Sequence, residues 1–516
     1  MRKTLAVILC ALMILSLAVV GVSAAEPVAV TNAEDFAKMK GGDSYYLTAD
    51  IELTDSYAEF KGTLDGNNHT ITVSGKPVFT KLTGATVSNL TIAGSVEASA
   101  SAKVNVGALC ATGANLTLNK VTNKATVSQL GDGKYAGGLV GQLDTISGAA
   151  ADNKIPSTFT DCVNDGAVSG SKGKNRIGGI VGNSVKYSDA KYVRCINNGD
   201  ISALTGISGT HYIAGIAGSA FGATFIDCVN NGKISSVGGT ANMGGILATM
   251  SPSPQGGDQS VTITGCVNNG TLEASNGQCG GIVGRVSSAK ATKTVDGSEV
   301  IDPPKCVTQI LTLKNCTNNG PVTSGGSYAG GLVGYLYGIS PTTASENGKD
   351  YPYCSYAVVT DCVNKAAITG TGDSTFVSQF MAYSNANENT IKNCYGSGSV
   401  TAKDDKHAVI IGLSSADATK YSIEGNYVTD STKYFSYAAP ASDGTASPNE
   451  IPMSADLAAK VTIATADEIN AKIAAMNGAA PSDPGTVVTG DTAVWVLVIA
   501  GVSLLGMGIA LKARKA

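Results

Sequence analysis

Cys228-Val229-Asn230-Asn231-Gly232-Lys233-Ile234 is the clearest copy of a phrase that recurs along the chain. The copies share the cysteine, a following turn and an apolar residue six positions after the cysteine. They begin at Cys162, Cys195, Cys228, Cys266, Cys316, Cys362 and Cys394. Self-similarity at a period of about 20 to 50 residues is the signature of solenoids, which stack one structural unit on the next. The repeat therefore predicts a solenoid.

Two columns of apolar residues flank the aligned cysteines. One column lies three residues before the cysteine and consists of Phe159, Tyr192, Phe225, Ile263, Leu313, Val359 and Ile391. The other lies six residues after it and consists of Val168, Ile201, Ile234, Leu272, Val322, Ile368 and Val400. The residue immediately before each cysteine is Asp, Arg, Gly or Asn. This pattern predicts short strands that turn one face inward and are separated by turns.

One copy has room for about three short strands and three turns, which make one coil of a parallel β-helix. Successive coils are expected to rise by about 4.8 Å, the spacing of paired strands, so that like side chains rest on one another. The sequence thus predicts an all-β fold, a parallel β-helix solenoid whose repeats occupy residues 101–430.

The Asn-Asn-Gly segment, as in Asn197-Asn198-Gly199, is predicted to form a sharp corner of the coil. Asn and Gly tolerate a positive φ, which such a corner requires. In a stack of coils the asparagine amides are expected to hydrogen-bond up and down a column. A metal or sugar site is the alternative interpretation of these asparagines.

Glycine-rich phrases such as Gly178-Gly179-Ile180-Val181-Gly182 precede the repeats. Glycine inside a strand usually marks a close approach of two backbones or a bend. A phosphate-binding loop would need a Lys-Ser/Thr ending and a following helix. These phrases lack that ending, so we expect a structural role.

Seven cysteines form one column of the repeat, and Cys306 and Cys354 lie outside it. The seven repeat cysteines are expected to be buried thiols, because Cβ atoms one coil apart are too distant for a relaxed disulfide. A metal site is the alternative, but a linear column lacks tetrahedral convergence. Cys110 and Cys279 are also expected to pack inside. We predict no metal and no cofactor.

Cys306 and Cys354 lie in the two longest connectors of the array. These connectors occupy equivalent positions in successive coils and should project from the same side of the β-helix. We therefore predict a disulfide between Cys306 and Cys354, consistent with an extracellular compartment.

Both ends of the chain resemble targeting segments. Residues 1–25 have the basic start, apolar stretch and small-residue ending of a signal peptide; an uncleaved membrane anchor is the alternative. The apolar run 493–511 predicts a C-terminal transmembrane helix, and the basic tail 512–516 is expected to be cytoplasmic. Together they predict an extracellular, surface-anchored protein.

Thr486-Val487-Val488-Thr489-Gly490 resembles the L-P-x-T-G sorting signal of Gram-positive surface proteins. Thr489 and Gly490 match the last two positions, whereas Thr486 and Val487 replace Leu and Pro. The resemblance implies that a sortase cuts between Thr489 and Gly490 and joins the chain to the cell wall. The alternative is that the span remains as a membrane anchor.

Short helical caps are predicted at both ends of the solenoid, because exposed terminal coils require covering. Residues 26–100 hold an N-terminal cap with the first coils, in which Asn32 begins a short helix through Met39. Residues 431–478 hold a C-terminal cap with helices at 454–460 and 466–477. Residues 479–492 form the linker and the sorting-like motif.

The segments Tyr46-Leu47-Thr48-Ala49-Asp50-Ile51 and Gly62-Thr63-Leu64-Asp65-Gly66-Asn67, followed by the repeats, resemble the GLUG-type repeat proteins. These are surface proteins of bacteria, often of anaerobic gut Firmicutes. The resemblance covers about residues 30–430 and implies a right-handed β-helix.

The leading functional hypothesis is a non-catalytic, adhesin-like surface protein that displays loops to glycans or proteins. Tyrosines of the long connectors suit such contacts, and Tyr335, Tyr337, Tyr351 and Tyr353 are the candidate ligand residues. A net charge of −4 predicts no nucleic-acid partner.

Two alternatives stay open. A polysaccharide-degrading enzyme would need convergent carboxylates or bound calcium. Asp161, Asp227 and Asp361 share the column before the cysteine, but other residue types interrupt that column, so we predict no catalytic residues. A purely structural surface component is the other alternative.

Overall fold

A computed structural model describes residues 26–476 except for short gaps, most of them in connectors. The gaps are residues 100, 102–103, 133–134, 147–154, 173–175, 186, 204–208, 251–258, 288, 296–297, 308, 338–354, 374, 385–388, 404–407, 414–420, 430–433, 438–449 and 453–458. The chain divides into two compact units, residues 1–469 and 470–516. The predicted signal peptide, sorting motif and transmembrane run lie outside the described residues.

The first unit is a parallel β-helix, which confirms the predicted architecture. Strands one coil apart pair in parallel and in register, so that Phe159 pairs with Tyr192 and Tyr192 with Phe225. The rings of these three residues stack at centroid distances of 5.0 and 4.7 Å. The column six residues after the cysteine pairs in the same way, from Val168 to Ile201 and onward. Both apolar columns therefore line one continuous core.

The larger sheet, called sheet A, has 32 strands and contributes up to three per coil. Its strands before the cysteine repeats are Val28–Val30, Ser44–Leu47, Ile51–Leu53, Thr63–Asp65, Thr70–Gly75, Thr86–Ala98, Thr117–Asn123 and Thr126–Asp132. Those of the repeats are Thr158–Thr160, Val163–Asn164, Val168–Lys172, Ala190–Val193, Ile196–Asn197, Ile201–Ala203, Ala223–Ile226, Val229–Asn230, Ile234–Ser236, Gln259–Thr264, Val267–Asn268, Leu272–Ala274, Gln309–Lys314, Thr317–Asn318, Val322–Ser324, Ser355–Thr360, Val363–Asn364, Ile368–Gly370, Thr390–Lys392, Tyr395–Gly396, Val400–Thr401, Ser422–Glu424, Asn426–Val428 and Val461–Ile463.

The second sheet, called sheet B, has 20 strands and usually contributes two per coil. Its strands are Tyr57–Phe60, Phe79–Thr83, Val106–Gly107, Cys110–Ala114, Tyr135–Gly137, Val140–Leu143, Arg176–Gly178, Val181–Ser184, Thr210–Ala214, Ala217–Ala220, Thr240–Gly244, Leu247–Met250, Gly277–Gly280, Val283–Ser287, Tyr328–Gly330, Val333–Tyr337, Phe376–Ser384, Ala408–Leu413, Tyr434–Tyr437 and Glu450–Pro452. One long connector forms an antiparallel hairpin of Ala289–Val295 and Ser298–Val307.

The described residues contain two helices. The N-terminal helix, Ala33–Ala37, is capped by Asn32, whose Oδ1 accepts a hydrogen bond from the Asp35 backbone N–H at 2.9 Å, and it ends two residues before the predicted Met39. The predicted helix at 466–477 is present as Ala466–Met476. The predicted helix at 454–460 falls mostly outside the described residues. Across the described ranges no helix is long and apolar enough to span a bilayer.

The asparagine ladder is confirmed. Asn164 Nδ2 donates to Asn197 Oδ1 at 2.7 Å, Asn197 to Asn230 at 2.7 Å, and Asn230 to Asn268 at 2.8 Å. Each of these amides also donates within its own coil, as Asn197 does to the carbonyl oxygen of Gly199 at 2.9 Å. Because that carbonyl can only accept, the amide orientation and the direction of the ladder are fixed.

A second, exposed ladder runs beside the first with the opposite direction. Asn231 Nδ2 donates to Asn198 Oδ1, and Asn198 Nδ2 donates to the carboxylate of Asp165, both at 2.8 Å. The carboxylate only accepts, so these amides donate toward the N-terminal coils, whereas those of the buried ladder donate toward the C-terminal coils.

The prediction that Asn-Asn-Gly supplies the positive φ is wrong. The left-handed backbone lies at the residue before the cysteine column, with φ between 50° and 66°. These residues are Asn89, Lys120, Asp161, Arg194, Asp227, Gly265, Asn315, Asp361, Asn393 and Gly425. The glycine of Asn-Asn-Gly is required for a different reason, since a Cβ on Gly199 would lie 2.0 Å from the carbonyl oxygen of Gly166.

The cysteine column consists of buried free thiols, as predicted. The thiols also form hydrogen bonds to backbone groups at the corner of the coil. Cys394 Sγ, for example, donates to the carbonyl oxygen of Val359 in the preceding coil at 3.7 Å. In the next coil Asn426 takes the cysteine position. Its Nδ2 donates to the carbonyl oxygen of Ile391 at 2.8 Å, and its Oδ1 accepts from the Cys394 N–H at 2.9 Å. The column thus satisfies backbone groups as well as filling space.

We expect Ellman's reagent to find almost no reactive thiol in the native β-helix. Nine thiols are buried, and burial raises the pKa of Cys279 to about 12 and that of Cys195 well above its usual value, which suppresses the thiolate. In urea without reductant, the chain lacking residues 1–25 should show nine thiols if Cys306 and Cys354 are bridged. Eleven would exclude the bridge, and fast reaction of more than two thiols in the native protein would contradict the burial of the nine.

His211 predicts a pH dependence of stability. Its side chain is fully buried, neither ring nitrogen has a hydrogen-bond partner within the part of the chain that the structure describes, and burial lowers its pKa. Below pH of about 6.5 the unfolded state therefore binds a proton that the folded state resists, so stability is lost as the pH falls from 7.5 to 5. Urea unfolding of the protein and of His211→Leu at both pH values checks this. An equal pH dependence of the two proteins would contradict it.

Candidate binding groove

The sequence-predicted ligand residues are only partly brought together by the described structure. Tyr335 and Tyr337 lie on one strand of sheet B and their ring centroids are 5.7 Å apart. Tyr351 and Tyr353 lie outside the described residues. So do Cys354, Thr489, Gly490 and the side chain of Cys306, whose backbone pairs with Lys290 in the hairpin.

Sheet B bends so that the outer faces of its two strands in each coil turn toward each other. Side chains seven residues apart meet across this bend, because Asn105 Nδ2 lies 3.5 Å from Thr112 Oγ1 and the rings of Tyr328 and Tyr335 stack at 4.7 Å. A Cβ on Gly178 would lie 2.1 Å from the carbonyl oxygen of Val181 across the bend. The bend therefore makes a groove along the outside of sheet B, called the sheet-B groove.

Two rows of side chains form the walls of the groove. The first wall follows the strand pairing through Arg176, Tyr212, Asn242, Gln278, Tyr328 and Phe376. The second wall consists of Asn183, Ser219, Thr249, Arg285, Tyr335 and Tyr383. Because paired strands are about 4.8 Å apart, each wall presents one side chain per coil at that interval.

Aromatic rings fill the groove toward its C-terminal end. Tyr328 stacks on Tyr335 and lies 5.3 Å from Tyr383 and 5.9 Å from Phe376. Burial raises the pKa of Tyr328 to about 12, and it also raises the pKa of Tyr335. Tyr383 is buried, whereas Tyr328, Tyr335 and Phe376 are partly exposed at the surface of the groove.

Each arginine of the walls lies against tyrosines. The guanidinium carbon of Arg176 is 5.3 Å from the ring centroid of Tyr135 and 5.5 Å from that of Tyr212. Arg285 lies 5.6 Å from Tyr335 and 5.9 Å from Tyr337. Stacking against aromatic faces holds a planar guanidinium in place.

Several polar atoms of the groove are enclosed and have no hydrogen-bond partner among the described residues. They are both amide atoms of Asn242, Oδ1 of Asn183, Oε1 of Gln278 and Nε of Arg176. Asn242 is 1% exposed and Asn183 is 2% exposed, so water does not reach them in this state. A buried polar group without a partner costs about 1–3 kcal/mol, which makes this stretch a candidate for ligand contact.

Sequence reasoning missed Arg176, Arg285 and the amides of the walls. The sequence does contain a positional signal for these residues. In each coil the residue of the first wall lies two residues before the first position of the paired glycines, and the residue of the second wall lies five residues after that position. The first wall contains Arg, Tyr, Asn, Gln and Phe at equivalent positions, so no single residue type repeats along it. Only the alignment of coils, extended beyond the apolar positions, would have found it.

The aspartates proposed for the enzyme alternative do not converge. Arg194 lies between the coils of Asp161 and Asp227 and forms a bidentate pair with Asp161 at 2.7 and 2.9 Å. Asp227 has its pKa raised by burial, but two coils separate it from Asp161. In the described part of the chain, no three His, Cys, Asp or Glu side chains are arranged to hold a metal ion.

Comparison with known proteins adds distant structural similarities. No family model matches the chain and no curated protein matches it. The chain is similar to an IgA1 protease, with a TM-score of 0.35 and 16% identity over 66% of this chain and 22% of that protein. It is also similar to a candidate immunoglobulin A1 protease from Bacteroides ovatus, with a TM-score of 0.32 and 17% identity over 73% and 84% of the two chains. The chain spans about a fifth of the first protein, and neither similarity bears on its function.

Proposed function

We propose that this protein is a non-catalytic, adhesin-like β-helix displayed outside the cell that binds glycans through the sheet-B groove. The observation that carries the proposal is the set of partly exposed rings of Tyr328, Tyr335 and Tyr337 beside Arg285, which pack on the buried ring of Tyr383. Tyrosine offers a large apolar ring and a polar hydroxyl on a stiff side chain, which suits sugar contacts. A signal peptide and a C-terminal anchor, retained in the membrane or joined to the cell wall by a sortase, complete the proposal.

The groove lies next to the places where long connectors leave the coil. The strand Val333–Tyr337 ends at the connector 338–354, and Val283–Ser287 ends just before the hairpin connector. Insertions on one side of a repeat protein commonly contribute to its binding face. The hairpin connector Ala289–Val295 and Ser298–Val307 is therefore proposed to extend the groove surface.

A glycan array probed with residues 26–480 tests the proposal. We expect binding to at least one glycan class and at least about a tenfold loss for Tyr335→Ala/Tyr337→Ala, because the aromatic contact is removed. Tyr427→Ala is the matched control, since Tyr427 stacks on Tyr395 on sheet A, away from the groove. Circular dichroism confirms that each variant is folded.

Three outcomes would contradict the proposal. A folded protein that binds no glycan would favour a purely structural surface component. Release of new reducing ends or unsaturated sugars from a bound polysaccharide would show an enzyme. Equal loss of binding in Tyr427→Ala would show that the sheet-B groove is not the binding site.

A further inference from the structure

The charges of the sheet-B groove have one sign. Arg176 and Arg285 are the charged side chains of its two walls, which contain no aspartate or glutamate between the coils of Arg176 and Tyr383. Among the described residues neither arginine forms an ion pair, whereas Arg194 on sheet A is paired with Asp161. The chain as a whole carries a net charge of −4. The groove is therefore a local positive surface on an acidic protein.

The enclosed polar atoms lie within the four coils that run from Arg176 to Arg285. Along the first wall, Asn242 and Gln278 follow Arg176 by two and three coils, and Gln278 lies in the coil of Arg285. Asn183 lies in the coil of Arg176 on the opposite wall. Hydroxyl groups of a ligand would give the amides the donors and acceptors they lack. The hydrogen bonds gained would offset the cost of parting the walls.

The arrangement suits a ligand that is itself linear and repeating. Three coils separate the two arginines, which corresponds to about 14 Å along the axis. A guanidinium binds a carboxylate through two parallel hydrogen bonds, and the tyrosine rings hold each fork in a fixed orientation. Anionic groups spaced along one chain are thus the complement of this groove.

We propose that the sheet-B groove binds a linear acidic polysaccharide, with carboxylates of separate uronic acid units on Arg176 and Arg285. Hydroxyl groups of the intervening sugars contact Asn242 and Asn183. The inference rests on the proposed glycan-binding function and names its ligand class. An extended peptide fits less well, because the walls are faces of a sheet whose backbone groups are already paired, and peptides add to exposed strand edges.

Titration calorimetry with defined polymers tests the inference. The probes are polygalacturonate and alginate, with carboxyl-reduced polygalacturonate and dextran as neutral counterparts. We expect binding to at least one uronate polymer, at least about tenfold weaker binding to the neutral polymers, and clear weakening by added salt. Arg176→Gln/Arg285→Gln should lose at least about tenfold in affinity.

Arg194→Gln is the matched control, because it removes the same charge outside the groove. It should bind as the wild type does; an equal loss would indicate general electrostatic attraction and overturn the inference. Arg176→Lys/Arg285→Lys keeps the charge without the fork, and its binding should be intermediate. If the glutamine variant fails to fold, this lysine variant decides the matter, and unchanged affinity would overturn the inference.

The remaining outcomes distinguish failure of the acidic-ligand inference from failure of the proposed glycan-binding function. Neutral polymers bound as tightly as uronate polymers would overturn the acidic ligand while leaving glycan binding intact. A folded protein that binds none of the polymers, together with a blank glycan array, would overturn both. Preferential binding of peptides, or a crystal grown with polygalacturonate that shows only ordered water in the groove, would also overturn the inference.

Discussion

Replacing Gly179 with alanine is expected to destabilise the β-helix by about 3–5 kcal/mol, and this is among the largest effects of any single substitution. A Cβ at this position would lie 2.0 Å from the carbonyl oxygen of Gly215 in the next coil and 2.4 Å from Oδ1 of Asn197. The first contact is with backbone of the adjoining coil, and the second is with the buried ladder. Neither neighbour can move without displacing its own hydrogen bonds.

The measurement is urea unfolding, combined with hydrogen exchange of the coils around Gly179. Gly42→Ala is the matched control, because a Cβ on Gly42 would meet no atom within 4 Å. The control should leave the unfolding midpoint almost unchanged. Since a solenoid unfolds by coils and interfaces, amides of the coils next to Gly179 should lose protection first. A wild-type midpoint for Gly179→Ala would show that the coils are not packed at this distance.

Gly179 also shows how two sequence phrases form one structure. The second glycine of the glycine-rich phrase lies directly against the side chain of the Asn-Asn-Gly phrase from the same coil, and the same contact recurs at Gly245 with Asn268 and at Gly281 with Asn318. Both phrases recur because each coil repeats this contact. Both phrases are visible in the sequence, and the glycines predict a close approach of two backbones, but nothing in the sequence pattern indicates that the two phrases meet.

The apolar columns and the asparagine ladder were predictable because their residue types repeat. When coils stack in register, a column of like residues in the sequence becomes a column in space. The left-handed corner was not predictable in this way, because Asp161, Arg194 and Lys120 share no turn preference, and the bend of the coil rather than the side chain sets their φ. Eight of the ten residues in that column are not glycine: Asn and Asp tolerate this conformation, and Arg194 and Lys120 adopt it at a cost in backbone energy.

The groove escaped prediction for a related reason. Its walls depend on which faces of sheet B turn toward each other, and this follows from the bend at the paired glycines. The predicted ligand residues Tyr335 and Tyr337 do lie at the groove, whereas Arg176 is four coils away in the chain. The tyrosines of the connectors therefore indicated only the C-terminal end of the sheet-B groove.

Replacing Asn230 with alanine is expected to cost about 3–5 kcal/mol, because it breaks the buried ladder at its centre. Asn230 donates to Asn268 at 2.8 Å and to the carbonyl oxygen of Gly232 at 3.0 Å, and it accepts from Asn197 at 2.7 Å. The substitution leaves Oδ1 of Asn268 and the Gly232 carbonyl oxygen enclosed without these donors. It also leaves a cavity that the fixed spacing of the coils prevents from closing.

Asn231→Ala provides a control that differs by one residue. Asn231 belongs to the exposed ladder, where it donates to Asn198 at 2.8 Å and accepts from Asn269 at 2.8 Å. Water replaces these bonds when the side chain is removed, so the change in unfolding free energy should stay below about 0.5 kcal/mol. Urea unfolding of both variants measures the difference. Equal effects of the two substitutions would show that burial is not what makes the ladder stabilising, whereas a large effect of Asn230→Ala alone would establish the buried ladder as the element that holds neighbouring coils in register.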